Sequence, residues 1–282
     1  MAGGRLNGAD MATSGNWEDA TPGDGDPAII PPTNQHNIID SGDSMEGINL
    51  GYLRIHPEFS TRFGEQGNPI HICSELVHAS GSGGCFIDLD GDTGGSGPNL
   101  VTDEIVFNAH ANARAKFELG CVVADPGAAK DVYAIRGDVL IKSTIAWNAA
   151  AVLHAGFQQS RASDLRLTVA SGGPTVPKLV VNGGEVYCDS VVTQLNVCGG
   201  VHYQDTAKAV TMHVMGGRLV YNHEAESTDV TLCVVHAGAT LDLLGNAAQK
   251  TFVRTIALPG SRIRKDDSLH TLNLLDLGAT ML

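Results

Sequence analysis

Asp88, Asp90 and Asp92 stand at alternate positions in Asp88-Leu89-Asp90-Gly91-Asp92-Thr93-Gly94. Three carboxylates so spaced can converge on one hard cation. An EF-hand loop would close with a bidentate Glu at its twelfth position; counted from Asp88, that position is Asn99. An Asp/Gly hairpin turn explains the same residues without a ligand. Both readings stand, the turn being the plainer.

The chain has 11 histidines. His202, His213 and His236 fall in neighbouring segments of a repeat and are candidates for a metal or pH-sensitive cluster. His202 follows its glycine turn whereas His213 and His236 precede theirs, so the three do not form one column. His223 beside Glu224 and Glu226 is a further candidate. Glycoside cleavage needs two carboxylates facing each other across a groove. Glu185, Asp189, Asp205, Glu224 and Asp229 are available, but nothing in their spacing selects a pair. There is no Gly-x-Ser-x-Gly elbow and no Gly-x-x-x-x-Gly-Lys phosphate loop. Six cysteines, Cys73, Cys85, Cys121, Cys188, Cys198 and Cys233, contain no Cys-x-x-Cys pair. The expectation is no catalytic residue, no cofactor, no bound metal and no enzymatic activity.

The elements that would carry these residues are short strands. Charged residues are 17% of the chain and glycines number 34, a balance that favours strands and tight turns over long surface helices. From 165 onward the strands repeat. Leu179-Val180-Val181-Asn182, Leu195-Asn196-Val197-Cys198 and Met212-His213-Val214-Met215 each run into Gly-Gly and then a second apolar strand. Leu232 to His236 does the same through Ala237-Gly238, and looser copies follow at Pro259-Gly260 and Leu277-Gly278. The second glycines, at 184, 200, 217, 238 and 260, are 16, 17, 21 and 22 residues apart. A period near that length with drifting loops is the mark of a β-solenoid. A recurrent Gly fits a corner that needs φ > 0. Stacking predicts an interior column of Leu179, Leu195, Met212, Leu232, Ile256 and Leu272. An antiparallel sandwich is the alternative, but it does not require a turn at one fixed place in each copy.

Toward the N-terminus the pattern is less regular. Leu50, Leu53 and Ile55, then Ile70 and Ile72, then Phe86, Ile87 and Leu89, read as strands broken by glycine. Ala109 to Leu119 is the one stretch that suggests a short helix. Residues 1–40 are polar, with Pro22, Pro27, Pro31 and Pro32. They read as an extended N-terminal arm, and residues 41–282 as the solenoid body. Trp17, Ile29, Ile30, Ile38 and Ile39 are the arm's apolar anchors and the candidate partner-binding residues. Arg262, Arg264 and Lys265 read as a solvated turn. The fold expected is all-β: a parallel β-solenoid with an extended N-terminal arm.

A formal net charge of −13 argues against nucleic acid and bare membrane as partners. The first ten residues lack an apolar signal region, and no apolar run approaches the ~20 residues of a spanning helix. The expected compartment is a reducing cytoplasm, with free thiols acting as small core hydrophobes.

Ser14-Gly15-Asn16-Trp17-Glu18-Asp19-Ala20 resembles an Asn/Asp-Trp-x-Asp-Ala opening found in a group of tailed-bacteriophage structural proteins. In that group a Pro/Gly-rich segment follows, then Leu-x-x-Leu-x-Ile and a Phe-rich turn. Here these are Leu50, Leu53 and Ile55, then Phe59, Phe63 and Gly64. The family's second Trp is replaced by an Asp- and Pro-rich run at 21–33. The resemblance implies a virion structural protein assembled in the host cytoplasm. Most specifically it implies a capsid decoration or cement subunit that binds the major capsid protein and itself, as a homo-oligomer and by the same likeness a trimer. A tail fibre or tailspike-like receptor-binding protein, with a glycan as its target, is the alternative the likeness leaves open.

Overall fold

The structure, a computed structural model, describes residues 4–8, 11, 14–18, 20–39, 48–91, 101–110, 114–157, 161, 163–205, 207–222, 227–244, 250–266 and 270–282. The chain divides into two compact units, Met1–Ala151 and Val152–Leu282. In both, the paired strands run parallel and in coils, so the molecule is a parallel β-solenoid.

In the first unit β1 (Gly4–Arg5) and β2 (Pro27–Ile30) begin the stack. Then come β3 (Asn49–Leu50), β4 (Tyr52–Ile55), β5 (Ile70–Ser74), β6 (Leu76–Ala79), β7 (Cys85–Leu89), β8 (Val101–Asn108), β9 (Lys116–Cys121) and the long β10 (Ala128–Ile141). One face pairs β2, β4, β6, β8 and β10 in parallel; another pairs β5, β7, β9 and the end of β10. Alternation of side chains puts Leu53, Val77, Ile105 and Val132 in one interior column. Phe59, Phe63, Phe107 and Phe117 are fully buried, the last two with ring centroids 5.2 Å apart.

The N-terminal segment joins this stack instead of projecting from it. β1 pairs with β2, and β2 with β4, each in parallel register. Pro27 is compatible because it opens its strand, where its missing N–H costs least. Asn34 fastens the segment: its buried Nδ2 donates to the carbonyls of Leu6 (2.9 Å) and Gly8 (3.0 Å), and its Oδ1 accepts from the His36 amide. Lys116 to Leu119 lies in β9, so the helix suggested for 109–119 is not formed there. Phe117, Leu119 and Cys121 are buried at every second position, which is the strand period.

β11 (Trp147–Ala155) crosses the boundary between the units. The second unit continues with β12 (Leu165–Val169), β13 (Val176–Val181), β14 (Glu185–Cys188), β15 (Val192–Val197), β16 (Val201–Gln204), β17 (Ala209–Val214) and β18 (Arg218–Tyr221). After these come β19 (Ser227–Val230), β20 (Leu232–Val235), β21 (Thr240–Asp242), β22 (Lys250–Ala257), β23 (Arg262–Arg264), β24 (Thr271–Asp276) and β25 (Thr280–Met281). β13, β15, β17, β20, β22 and β24 pair in parallel along one face; β12, β14, β16, β18, β21, β23 and β25 along another. The sandwich is thereby excluded.

The corner glycines behave as their spacing predicts. Gly184, Gly200, Gly217, Gly238 and Gly260 all have positive φ, between 67° and 79°. At Gly200 the corner is also crowded, since a Cβ would lie 2.4 Å from the carbonyl oxygen of Gly184 in the preceding coil. The interior column is Leu179, Leu195, Met212, Cys233 and Thr255, with the half-buried Leu274 next in register. It departs from the expected series after Met212. Leu232 and Ile256 are only half-buried, each one residue out of register with the inward position, and Leu272 aligns with Phe252. The inward position stands five residues before the corner glycine in each coil, as Met212 before Gly217, Cys233 before Gly238 and Thr255 before Gly260, whereas Leu232 and Ile256 stand six and four before theirs, and a slip of one residue turns a side chain to the other face.

Candidate functional site

The Asp-rich stretch holds a cation, but one supplied by the chain. Asp88 and Gly120 occupy adjacent positions of one outward column across β7 and β9, with Lys142 just past the end of β10. Gly120 presents no side chain, so Lys142 reaches across it and its Nζ donates to both oxygens of Asp88, at 2.8 and 2.9 Å. The Asp88 side chain is only 11% exposed. Glu118, nearby, has its carboxyl raised by burial, with Lys142 and Lys116 opposing. Asp90 is buried and forms a bridge with Pro126; Asp92 lies outside the described residues. Among the described residues no group of three or more His, Cys, Asp or Glu is placed to hold a metal ion.

A second constellation in the first unit is Tyr52, His78 and Glu104, on β4, β6 and β8. His78 Nε2 lies 2.6 Å from Glu104 Oε1, and its Nδ1 lies 3.1 Å from the Tyr52 hydroxyl. The carboxylate places the ring proton on Nε2, so the phenol donates to Nδ1. This has the form of a nucleophile–base–acid relay. Burial, however, raises the Tyr52 phenol, with Arg54 opposing and Glu104 adding. A phenol held neutral is a weak nucleophile, and the arrangement acts as a hydrogen-bond chain across three coils.

The second unit carries a different face. The outward positions of β12, β14, β16, β18, β21 and β23 fall into two columns by register. One reads Arg166, Glu185, Val201, Arg218, Thr240, Arg262; the other Thr168, Tyr187, Tyr203, Val220, Asp242, Arg264. Tyr187 and Tyr203 stack with centroids 4.7 Å apart and planes 5° from parallel. The Arg166 guanidinium sits 5.0 Å from the other face of Tyr187. Tyr187 donates its hydroxyl proton to Glu185 at 2.8 Å; burial, followed by this carboxylate, pushes the phenol up to about 12. Two coils beyond Tyr203, Asp242 is almost fully buried beneath two arginines. Its Oδ2 accepts from Arg218 Nε (3.1 Å), from Arg218 Nη2 and from Arg264 Nη1 (2.8 Å). Arg262 to Arg264 is therefore strand, not a solvated turn.

Among the described hydrolytic candidates, Glu185 is bound to Tyr187 and Asp205 accepts from Asn222 at 3.1 Å. His223, Glu224 and Glu226, and the side chain of Asp229, lie outside the described residues. The three histidines do not meet as a cluster. His202 points inward from β16 between Val186 and Leu219, while His213 and His236 are half-buried, His213 turned outward on β17. Burial lowers His202 to about 4 against an opposing bond from Gln204, whose Oε1 is 3.0 Å from Nε2. His202 Nδ1 has no hydrogen-bond partner among the described residues. None of the six cysteines is in a disulfide. Burial pushes Cys188 and Cys233 up to about 12 and Cys121 to about 11, so these are inert core residues.

Of the five N-terminal anchors, Trp17, Ile30 and Ile38 are buried within this chain. Trp17 bridges to Leu6, and its Nε1 donates to the Met11 carbonyl at 2.9 Å. Ile29 is half-buried on β2, and Ile39 is 42% exposed. Ile29 and Ile39 are therefore the two still offered to a partner.

The Tyr/Arg face escaped the sequence reading although a signal existed. Tyr187, Tyr203 and Val220 each stand three residues after a corner glycine (187−184, 203−200, 220−217). Aligning the copies on the glycines sets the two tyrosines in one column. The Asp88–Lys142 pair left no such trace, because its partners are 54 residues apart. Comparison of the chain with protein-family models, with curated proteins and with solved structures finds no match.

Proposed function

We propose that the chain is a structural component of a bacteriophage particle, a capsid decoration subunit with no catalytic role of its own. The observation that carries this reading is the use to which the reactive groups are put. Asp88 is neutralised by Lys142 and Asp242 by two arginines, Glu104 and Tyr52 are hydrogen-bonded to His78, and the buried thiol of Cys188 is held protonated. Such pairing rigidifies a stack and leaves none of these groups an activated nucleophile. The likeness of 14–20 and 50–64 to tailed-phage structural proteins supplies the particle. Self-association is assigned to the apolar side chains of the β22 to β25 region, where Val253, Leu275, Leu277 and Met281 are 40–50% exposed. Binding to a shell is multivalent, so each contact can be modest.

The test is to mix the purified chain with phage heads assembled without it and to sediment the heads. Saturable co-sedimentation at a fixed ratio to the major capsid protein supports the reading. A chain that stays in the supernatant at micromolar concentration, or that binds tails alone, refutes it; binding to tails alone replaces it with the receptor-binding alternative.

A further inference from the structure

We propose that the outward face of β12, β14, β16, β18, β21 and β23 binds an acidic polysaccharide lying along the stack. The inference is independent of the particle reading. This face has four arginines, Arg166, Arg218, Arg262 and Arg264, against Glu185 and Asp242, on a chain whose formal charge is −13. It is thus cationic against the sign of the molecule.

The arginines are also held in place. Asp242 offers a single oxygen to Arg218 and Arg264, which use three N–H groups on it and leave the rest of their forks directed elsewhere. Both guanidinium side chains remain open, at 45% and 39% exposure. A buried carboxylate that fixes two exposed forks preorganises an anion site, lowering the ordering cost of binding. Arg262, also exposed, is one coil beyond Thr240 in the adjacent column. The stacked Tyr187 and Tyr203 add a rigid aromatic edge with hydroxyls for sugar contacts.

Spacing and charge density select the ligand. Arg218 and Arg262 are two coils apart, roughly 10 Å at the inter-strand spacing. Tyr203 and Arg264 are three coils apart, roughly 14 Å. A linear polymer with a carboxylate every one or two sugars meets sites at that interval. Duplex DNA, at about one charge per 1.7 Å, would bring many unpaired phosphates against an otherwise acidic surface.

Affinity electrophoresis and titration calorimetry of the full chain with polygalacturonate at low ionic strength test this. Neutral dextran and duplex DNA are the comparison ligands. Retardation by polygalacturonate alone, weakening with added salt, is expected. Arg262→Glu and Tyr203→Ala should each weaken it by about tenfold or more, equivalent to about 1.4 kcal/mol. Arg54→Glu, on the first unit, should leave it unchanged. Circular dichroism verifies that the variants fold, and Arg166→Glu serves as the second charge reversal. Absence of binding, indifference to both charge reversals, or tighter binding of DNA or dextran overturns the proposal.

Discussion

Two corner glycines separate backbone conformation from crowding. Gly238 and Gly200 share the left-handed backbone, with φ of 79° and 69°. A Cβ on Gly238 would meet nothing within 4 Å. A Cβ on Gly200 would lie 2.4 Å from Gly184 O, 2.8 Å from Gly183 C and 3.0 Å from Gly183 Cα. Gly238→Ala therefore introduces conformational strain alone, about 1–2 kcal/mol. Gly200→Ala adds an overlap of more than 1 Å with backbone of the preceding coil, which cannot rotate away. Relief requires the coils to part where Val201 N–H bonds Gly184 O at 3.0 Å. Overpacking of this kind costs a further ~1–3 kcal/mol, for a total of about 2–5. Gly238→Asn should cost less than Gly238→Ala, because Asn tolerates this region. Equilibrium urea titrations followed by far-UV circular dichroism supply the three values. Equal losses at 200 and 238, or a larger loss at 238, would show that crowding between coils does not set the price of the corner.

Three further outcomes follow from the buried polar groups. The folded state holds His202 near 4, below its unfolded value of about 6.5; its contribution is complete above pH 6.5 and is lost as pH falls toward 4, by roughly 3 kcal/mol. His202→Leu, flanked by Val186 and Leu219, should flatten the stability–pH curve over that window, and an unchanged slope refutes the assignment. Gly120→Ala puts a Cβ 2.4 Å from Asp88 Oδ1 and 3.0 Å from Lys142 Cδ; separating the pair should cost about 2 kcal/mol by chemical denaturation. In the native protein iodoacetamide should modify Cys198, the half-buried thiol, well before the other five, with all six labelled after unfolding; rapid native labelling of Cys188 or Cys233 contradicts their burial.

The architecture was legible because the solenoid repeats one chemical necessity. A corner that only glycine enters cheaply marks each coil, and the glycine spacing exposes it without any knowledge of contacts. The register after Met212 was hidden because apolar residues occupy both faces: Leu232 and Ile256 flank the inward Cys233 and Thr255, and only counting five residues back from each corner glycine picks out the inward position. The N-terminal segment misled for a related reason. Its prolines forbid helix, but they do not forbid parallel pairing when one stands at a strand start, as Pro27 does. The Tyr187–Tyr203 stack was readable by aligning copies. The Arg218–Asp242–Arg264 clamp was harder to see, since Asp242 follows its corner glycine by four residues instead of three. Asp88 carried a calcium-like spacing, yet its partner is a lysine reached across a glycine, a relation that only the stacking of coils creates.

The central functional claim is membership of a particle, and a mass-spectrometric inventory of gradient-purified virions from the source of the chain tests it most directly. The expected result is that its peptides co-band with the major capsid protein at a constant ratio through the gradient. Peptides confined to the unassembled lysate, with none in the purified particles, would contradict it.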